Sequence, residues 1–324
     1  MTNDESLFDE LRPVSFAIAY RMLGSVSEAE DIVQEVLLRT HQALDSGEEI
    51  VSPRGFVATV TTRLAINELN SARARREQYV GDWLPEPIIT DPHGDPAWQA
   101  ETADSLSMAF LVVLESLTPD QRAVLLLHDV FDYEYSEIAS IVGKSEDNVR
   151  QLASRARRHV SHGRPRFQTT RQQRDELARR FWAAAENGDL AGLETLLAHD
   201  VELTGDGGGK VTRLAGSLRG RSRVAAVLVS SFRRVIALAG VSWRPVEVNG
   251  GAGALFLHED EDVIGVLALD IDGNRITSIR GIVNPDKLSH LGPVADFNSI
   301  VGSTESRPRT RTTRSTQDEK ITDV

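Results

Sequence analysis

The chain has 324 residues, is 40% hydrophobic, and carries a formal net charge of −12 with no cysteine. That excludes disulfides, cysteine-ligated zinc and thiol redox chemistry, and no apolar run reaches the ~18 residues of a membrane helix. The acidic start MTNDESLFDEL lacks a signal peptide's basic n-region, so a cytoplasmic protein of about two or three domains is expected, with no membrane partner.

The first stripe, Leu7, Leu11, Val14, Ile18 and Met22, predicts a helix over residues 5–24. Pro13 kinks it or starts its main part, and Gly24 ends it. Ser27 begins the next helix, with Glu30 three residues on completing a capping box. Ala29, Ile32, Val33, Val36, Leu37 and Leu44 point inward there, while Asp31, Gln34, Glu35 and Arg39 form the opposite, solvated face. After the loop Asp45–Ser52, Ser52 caps a third helix with Pro53 at its first position. Phe56, Val60, Leu64 and Leu69 make its expected buried stripe, and Arg63, Asn67, Asn70 and Arg73 project elsewhere. The closing arginines, Arg73, Arg75 and Arg76, suit the C-terminal helix dipole as well as they suit phosphate.

Residues 81–96, GDWLPEPIITDPHGDP, cannot continue a helix and read as a linker. A free linker is polar, so Trp83 and Leu84 imply that it docks on a surface. A helix over 99–117 follows, with Leu106, Phe110, Val113, Leu114 and Leu117. Thr118, Pro119 and Gln121 then supply cap, N1 proline and N3 glutamine for another.

From Tyr135 to Arg166 the spacing is that of a helix-turn-helix. Ile138, Ala139 and Val142 form the inner face of a short helix, Gly143 suits a left-handed C′ position, and Ser145 caps a second helix. Val149, Leu152 and Ala156 line that helix's inner stripe; Asn148, Arg150, Gln151, Ser154, Arg155 and Arg158 lie outside, with Lys144 just ahead. Such side chains bond base edges or phosphates, and a basic patch of this kind binds nucleic acid whatever the total charge. An ordinary helical hairpin with a solvated basic face fits the spacing too.

Beyond residue 165, RDELARRFWAAAENGDLAGLETLLAHDVEL reads as two amphipathic helices and a strand. A helix from Arg221 to Ala239 and four strands, ending in ITSIRGIV, complete an α+β cone with an antiparallel meander. Asp206, Gly207, Gly208, Gly209 and Lys210 read as a hairpin loop, and Asn284–Pro285 as a turn. His199, Asp200, Asp206, His258 and Arg280 are the polar candidates of this half, and nothing places two of them at catalytic separation. Residues 302–324 are polar and are expected to be disordered.

Two phrases, AYRMLGSVSEAEDIVQEVLLR and LTPDQRAVLLLHDVFDYEYSEIASIVGKSEDNVRQLASRARRHV, resemble regions 2 and 4 of the extracytoplasmic-function sigma factors of the σ70 family. The resemblance covers roughly residues 5–162. It implies that Asp31, Ile32, Val33, Gln34 and Glu35 lie on the helix that docks on the β′ clamp helices of core RNA polymerase. The β flap is the further core contact it implies. Arg63, Asn67, Arg73, Arg75 and Arg76 would meet the −10 element of promoter DNA, where a base is extruded from the stack. The −35 major groove would take Lys144, Asn148, Arg150, Gln151, Ser154, Arg155 and Arg158. Phe56 stands where the family usually has tryptophan.

Residues of about 172–290 are similar in element order to the SnoaL-like members of the NTF2-like superfamily. Trp83–Leu84–Pro85–Glu86–Pro87, Asp206–Lys210 and Asn284–Pro285–Asp286–Lys287–Leu288 match the sigma-factor group that carries this domain fused. There it is understood to modulate sigma activity, so Trp83, Leu84, Pro85, Asp206, Gly207, Gly208, Gly209, Lys210, Asn284, Pro285, Asp286 and Lys287 become regulatory candidates.

The implied fold is multidomain: an all-α half with region 2 (5–78) and region 4 (101–164), a linker (79–100), an α+β cone (170–291) and a tail (302–324). No enzyme activity, metal or cofactor is implied. A small ligand of unassigned identity in the cone is the one further partner admitted. The alternatives are a DNA-tethered SnoaL-like enzyme and a ligand-sensing helix-turn-helix regulator.

Overall fold

A computed structural model describes residues 3–47, 49–90, 105–161, 170–211 and 217–300. The expected tail, the stretch 91–104 and the side chains of Arg73, Arg75 and Arg76 lie outside the described residues.

Helix α1 (Asn3–Leu23) runs through Pro13, which sits inside it. Helix α2 (Val26–Asp45) is capped by Ser25, which accepts from the Glu28 amide at 3.2 Å, so the cap lies two residues ahead of the expected Ser27. Helix α3 (Pro53–Glu77) starts at its proline, with Ser52 accepting from the Gly55 amide at 3.2 Å. Its buried stripe is shifted from the expected one. Val57, Ala58, Thr61, Thr62, Ala65 and Leu69 are buried, whereas Phe56, Val60 and Leu64 are half-buried at the margin. Two threonines hid this stripe from a reading keyed on large apolar residues; Thr61 meets Ser15 of α1 hydroxyl to hydroxyl at 2.9 Å.

Strand β1 (Ile89–Thr90) comes from the linker. Helix α4 (Met108–Leu114) starts afresh at Ser107, whose hydroxyl accepts from the Phe110 amide, so the helix expected over 99–117 is interrupted there. Helix α5 (Pro119–Asp129) has the full Thr118–Gln121 capping box, and α6 (Tyr135–Val142) and α7 (Glu146–Ser161) form the helix-turn-helix. The two helical segments share one core: Leu11, Ile18 and Leu23 of α1 belong to the same cluster as Leu111, Leu126 and Ala156.

Helices α8 (Arg171–Asn187) and α9 (Leu190–Leu196) lead into β2 (Leu197–Asp206), β3 (Leu218–Arg219) and α10 (Arg221–Ile236). The meander β4 (Ser242–Val248), β5 (Gly251–Leu257), β6 (Val263–Asp272) and β7 (Arg275–Ile282) follows. The sheet has the order β1-β4-β5-β6-β7-β2-β3. The meander is antiparallel as expected, but β2 joins β7 in parallel and the linker strand β1 extends the β4 edge, Ile89 opposite Val248. One sheet face packs on α8–α10 through residues such as Phe181, Trp182, Phe232 and Ile279. The other face holds Leu84 of the linker and Met108 of α4 against Val248, Leu255, Val266 and Ile282. This two-sided burial explains why β6, VIGVLALDID, is almost continuously apolar rather than alternating.

Candidate functional site

The recognition-type helix is assembled as the spacing requires. Gly143 takes φ 66°, a left-handed C-cap that costs a glycine nothing, and Ser145 accepts from the Asn148 amide at 3.3 Å. Val149, Ala153, Ala156 and Val160 are buried; Asn148, Arg150, Gln151, Ser154, Arg155 and Arg158 are exposed along one face of α7. Arg150 pairs with Glu146 and lies 4.7 Å from the centre of the Tyr135 ring. Lys144 is half-buried and pairs with Asp120 at 3.0 Å. Arg157, which the sequence reading left out, braces the motif: its guanidinium donates to Asp129 (2.9 Å), Tyr135 Oη (3.1 Å) and His128 Nδ1 (2.9 Å).

On α2, Asp31 and Gln34 are exposed and Glu35 is half-buried, bonded to Arg39 at 2.7 Å. Ile32 and Val33 instead point into the core, because the amphipathic period puts them on the face that meets α1 and α3. A partner of this helix would therefore touch Asp31, Gln34 and Glu35, with Ile32 and Val33 holding the helix in place.

Arg63 of α3 does not stand free. Its Nε donates to the Ile141 carbonyl at 2.9 Å and its Nη2 to that of Ser140 at 3.0 Å. These are last-turn carbonyls of α6, which have no partner within the helix. One turn along α3, Asn67 is exposed.

The linker, the loop after β2 and the turn after β7 converge on a single buried carboxylate. Asp206 is wholly buried. Its Oδ2 accepts from the Leu84 amide (2.8 Å) and pairs with Lys287 Nζ (2.7 Å); Oδ1 accepts from Tyr79 Oη and the Gly208 amide (3.1 Å). Lys287 also reaches the Leu84 carbonyl, and its ammonium lies 4.1 Å from the Trp83 ring centre. Asn284 Nδ2 donates to Tyr79 Oη at 2.9 Å. Gly208, at φ 58°, has no room for a side chain, since a Cβ there would lie 2.3 Å from Asn284 Nδ2. At Gly209, with φ 70°, a Cβ would come within 3.0 Å of Val80, a tight contact. Lys210 and Asp286 pair at the exposed edge.

Two residues further on, the linker grips the other half of the molecule. Glu86 Oε2 accepts from the Val26 (2.7 Å) and Ser27 (3.1 Å) amides, and Oε1 from Ser25 Oγ (2.8 Å). The linker glutamate thus caps α2 from a distance. Pro85 lies near Gly24, and the Pro87 carbonyl accepts from His290 at 2.8 Å. Asn249 closes the junction: Oδ1 accepts from the Ile88 amide (2.9 Å), and Nδ2 donates to Tyr20 Oη (2.7 Å) and the Leu106 carbonyl (3.1 Å). Tyr79, Glu86 and Asn249 were missed by the sequence reading. Glu86 stood inside a singled-out phrase, but Asn249–Gly250–Gly251 looks like any hairpin turn, and Tyr79 is a single aromatic at a helix end.

Burial, and then the Asp206 carboxylate, raise the Tyr79 phenol above its ordinary value of 10.0; burial likewise raises Tyr20. A phenol raised in the folded state lends stability that is complete below pH 10 and is lost as pH climbs through its folded value. Alkaline titration of phenolate absorbance is expected to give late steps for both tyrosines, and Tyr79→Phe to remove one of them. A Tyr79 that ionises at its ordinary value of 10.0 would contradict the buried contact.

Of the cone's polar candidates, Asp206 is taken up by its pair with Lys287. Asp270 pairs with Arg280, whose guanidinium burial lowers to about 10. No group of three or more metal-ligating side chains occurs among the described residues. None of the described helices is long and apolar enough to cross a membrane.

Comparison with known proteins agrees with this anatomy. Residues 7–75 match the family Sigma-70 region 2, and residues 107–160 match Sigma-70, region 4. The chain is 36% identical to the ECF RNA polymerase sigma factor SigJ of Mycobacterium tuberculosis, over 88% of this chain and 93% of that one. It is 32% identical to a probable ECF RNA polymerase sigma factor of the same species, SigI, over 85% and 91%. The crystal structure of the Mycobacterium tuberculosis extracytoplasmic function sigma factor SigJ superposes with a TM-score of 0.70 at 33% identity, covering 88% of this chain and 98% of that one.

Proposed function

The chain belongs to the extracytoplasmic-function RNA polymerase sigma factors, and on that footing we propose that it is a promoter-specificity subunit whose C-terminal domain acts as a brake. Sigma factors are not enzymes; this one directs core polymerase to promoters. Asp31, Gln34 and Glu35 face the β′ clamp helices. Asn67, with Arg63 and the arginines at the end of α3, serves the −10 element, and the exposed face of α7 serves the −35 major groove.

The observation that carries the brake is Arg63. Its bonds to the Ser140 and Ile141 carbonyls put a −10 candidate within one helix of the −35 reader. The two promoter elements lie roughly 25 base pairs apart, about 85 Å of duplex at ~3.4 Å per step. A single shared core cannot reach both, so the helical halves must separate for promoter binding. The contacts of Asp206, Lys287, Leu84 and Glu86 oppose that separation by fastening the linker at both ends.

In vitro transcription with core polymerase tests the reading. The full chain is expected to bind core and yield promoter-dependent transcripts. Arg150→Ala, Gln151→Ala and Arg155→Ala together are expected to abolish them while core binding persists, since a good base contact contributes about 1–3 kcal/mol. A chain that fails to associate with core polymerase overturns the proposal.

A further inference from the structure

The C-terminal domain encloses a space that none of these contacts uses. It lies between α10 and one face of the sheet and has a cavity volume of about 50 Å3. That is several times the roughly 10–15 Å3 that a single water needs. Leu203, Leu228, Phe232, Phe256, Leu267 and Phe297 dominate its walls. Among its lining residues none carries a charge, and Ser231 offers the one hydroxyl. A charged ligand would lose its hydration there with nothing to replace it. The lining also lacks the acid or base that turnover would need.

Its walls run directly into the brake. Gly205 and Val283 line the space, and their next neighbours in the chain are Asp206 and Asn284. The amides of Val283 and Asn284 both donate to the Asp206 carbonyl, at 2.9 and 3.1 Å. Phe297 lines the opposite side, and its neighbour Asn298 donates to the Lys210 carbonyl at 2.9 Å. Three points of the wall are thus tied to the segments that hold the linker.

We propose that this cavity binds a neutral, largely hydrocarbon small molecule, with at most a single hydrogen-bonding group for Ser231, and that its occupancy tightens the linker's hold. The coupling rests on the reading of the C-terminal domain as a brake. The molecule favours the fastened state because only there are Gly205, Val283 and Phe297 fixed around it. A ligand shifts such an equilibrium by its difference in affinity for the two states.

The test uses the full chain and the neutral fluorophore N-phenyl-1-naphthylamine. Emission is expected to rise and shift to the blue on binding. Ser231→Phe and, independently, Val227→Phe fill the space and are expected to weaken binding by about tenfold or more; circular dichroism identifies whichever variant remains folded. Hydrogen exchange at the Leu84 amide is expected to slow on saturation, by up to about 100-fold at a hundred times Kd. Absence of binding, equal binding by a folded variant, or unchanged exchange at Leu84 overturns the inference. The brake itself is judged separately by Lys287→Met: if that variant raises transcription while the fluorophore fails to bind, the cavity inference alone falls. If Lys287→Met leaves transcription unchanged, the brake falls whatever the cavity binds.

Discussion

Lys287→Met is expected to destabilise the junction by about 3–5 kcal/mol and to raise promoter-dependent transcription. The replacement leaves the Asp206 carboxylate wholly buried without its countercharge. Tyr79, Gly208 and the Leu84 amide still donate to it, but neutral donors do not replace an ammonium at 2.7 Å. Asp206→Asn is the milder change. It leaves the ammonium over the Trp83 ring, where a cation retains part of its stabilisation. The double variant Asp206→Asn with Lys287→Met is expected to cost less than the two singles combined, because neither buried charge is then left unpaired. Lys210 makes the contrast. Its pair with Asp286 has side chains 56% and 64% exposed, so Lys210→Ala is expected to cost no more than about 1 kcal/mol. Thermal unfolding followed by tryptophan fluorescence, alongside transcription from a cognate promoter, reads both effects. A Lys287→Met protein as stable and as active as the parent would show that the buried pair fastens nothing.

The helical half was legible because its signals are local. Thr118–Pro119–Gln121 fixed a helix start, Gly143 and Ser145 fixed the turn, and the exposed row on α7 came straight from the helical period. Burial was harder to read. Thr61 and Thr62 form part of the α3 core, which a stripe of large apolar residues does not reveal. Ile32 and Val33 stood in a functional phrase, yet geometry turns them inward. The junction was the least legible feature, since it joins residues far apart in the chain. Asp206 meets Leu84 across 122 positions and Asn249 meets Tyr20 across 229, and no periodicity encodes such pairs. Composition gave one clue, an apolar Trp83–Leu84 in a linker that ought to be polar. It points to a contact without naming the partner.

The second large effect is expected at Glu86. Glu86→Ala leaves the Val26 and Ser27 amides at the start of α2 without their acceptor, in a place where Glu86 is buried. Hydrogen bonds to a charged group contribute about 1.5–3 kcal/mol each, so a loss of roughly 3–5 kcal/mol is expected. A carboxylate at a helix N-terminus is also favoured by the helix dipole. Glu86→Gln keeps an acceptor oxygen but loses the charge, and is expected to recover about half the loss. The functional consequence follows from where α2 lies. The helix that Glu86 caps is the one presenting Asp31, Gln34 and Glu35, so the same residue sets the footing of the polymerase-facing helix and one end of the linker. Lys287 secures the other end. If the linker works as one strap, releasing either end frees it, and the gains in transcription from Glu86→Ala and Lys287→Met do not add. If the two ends act independently, they add. Transcription from the double variant at the level of the stronger single supports the strap. A sum of the two effects would mean that the linker is held at two unrelated points and that the Asp206 junction governs only its own side.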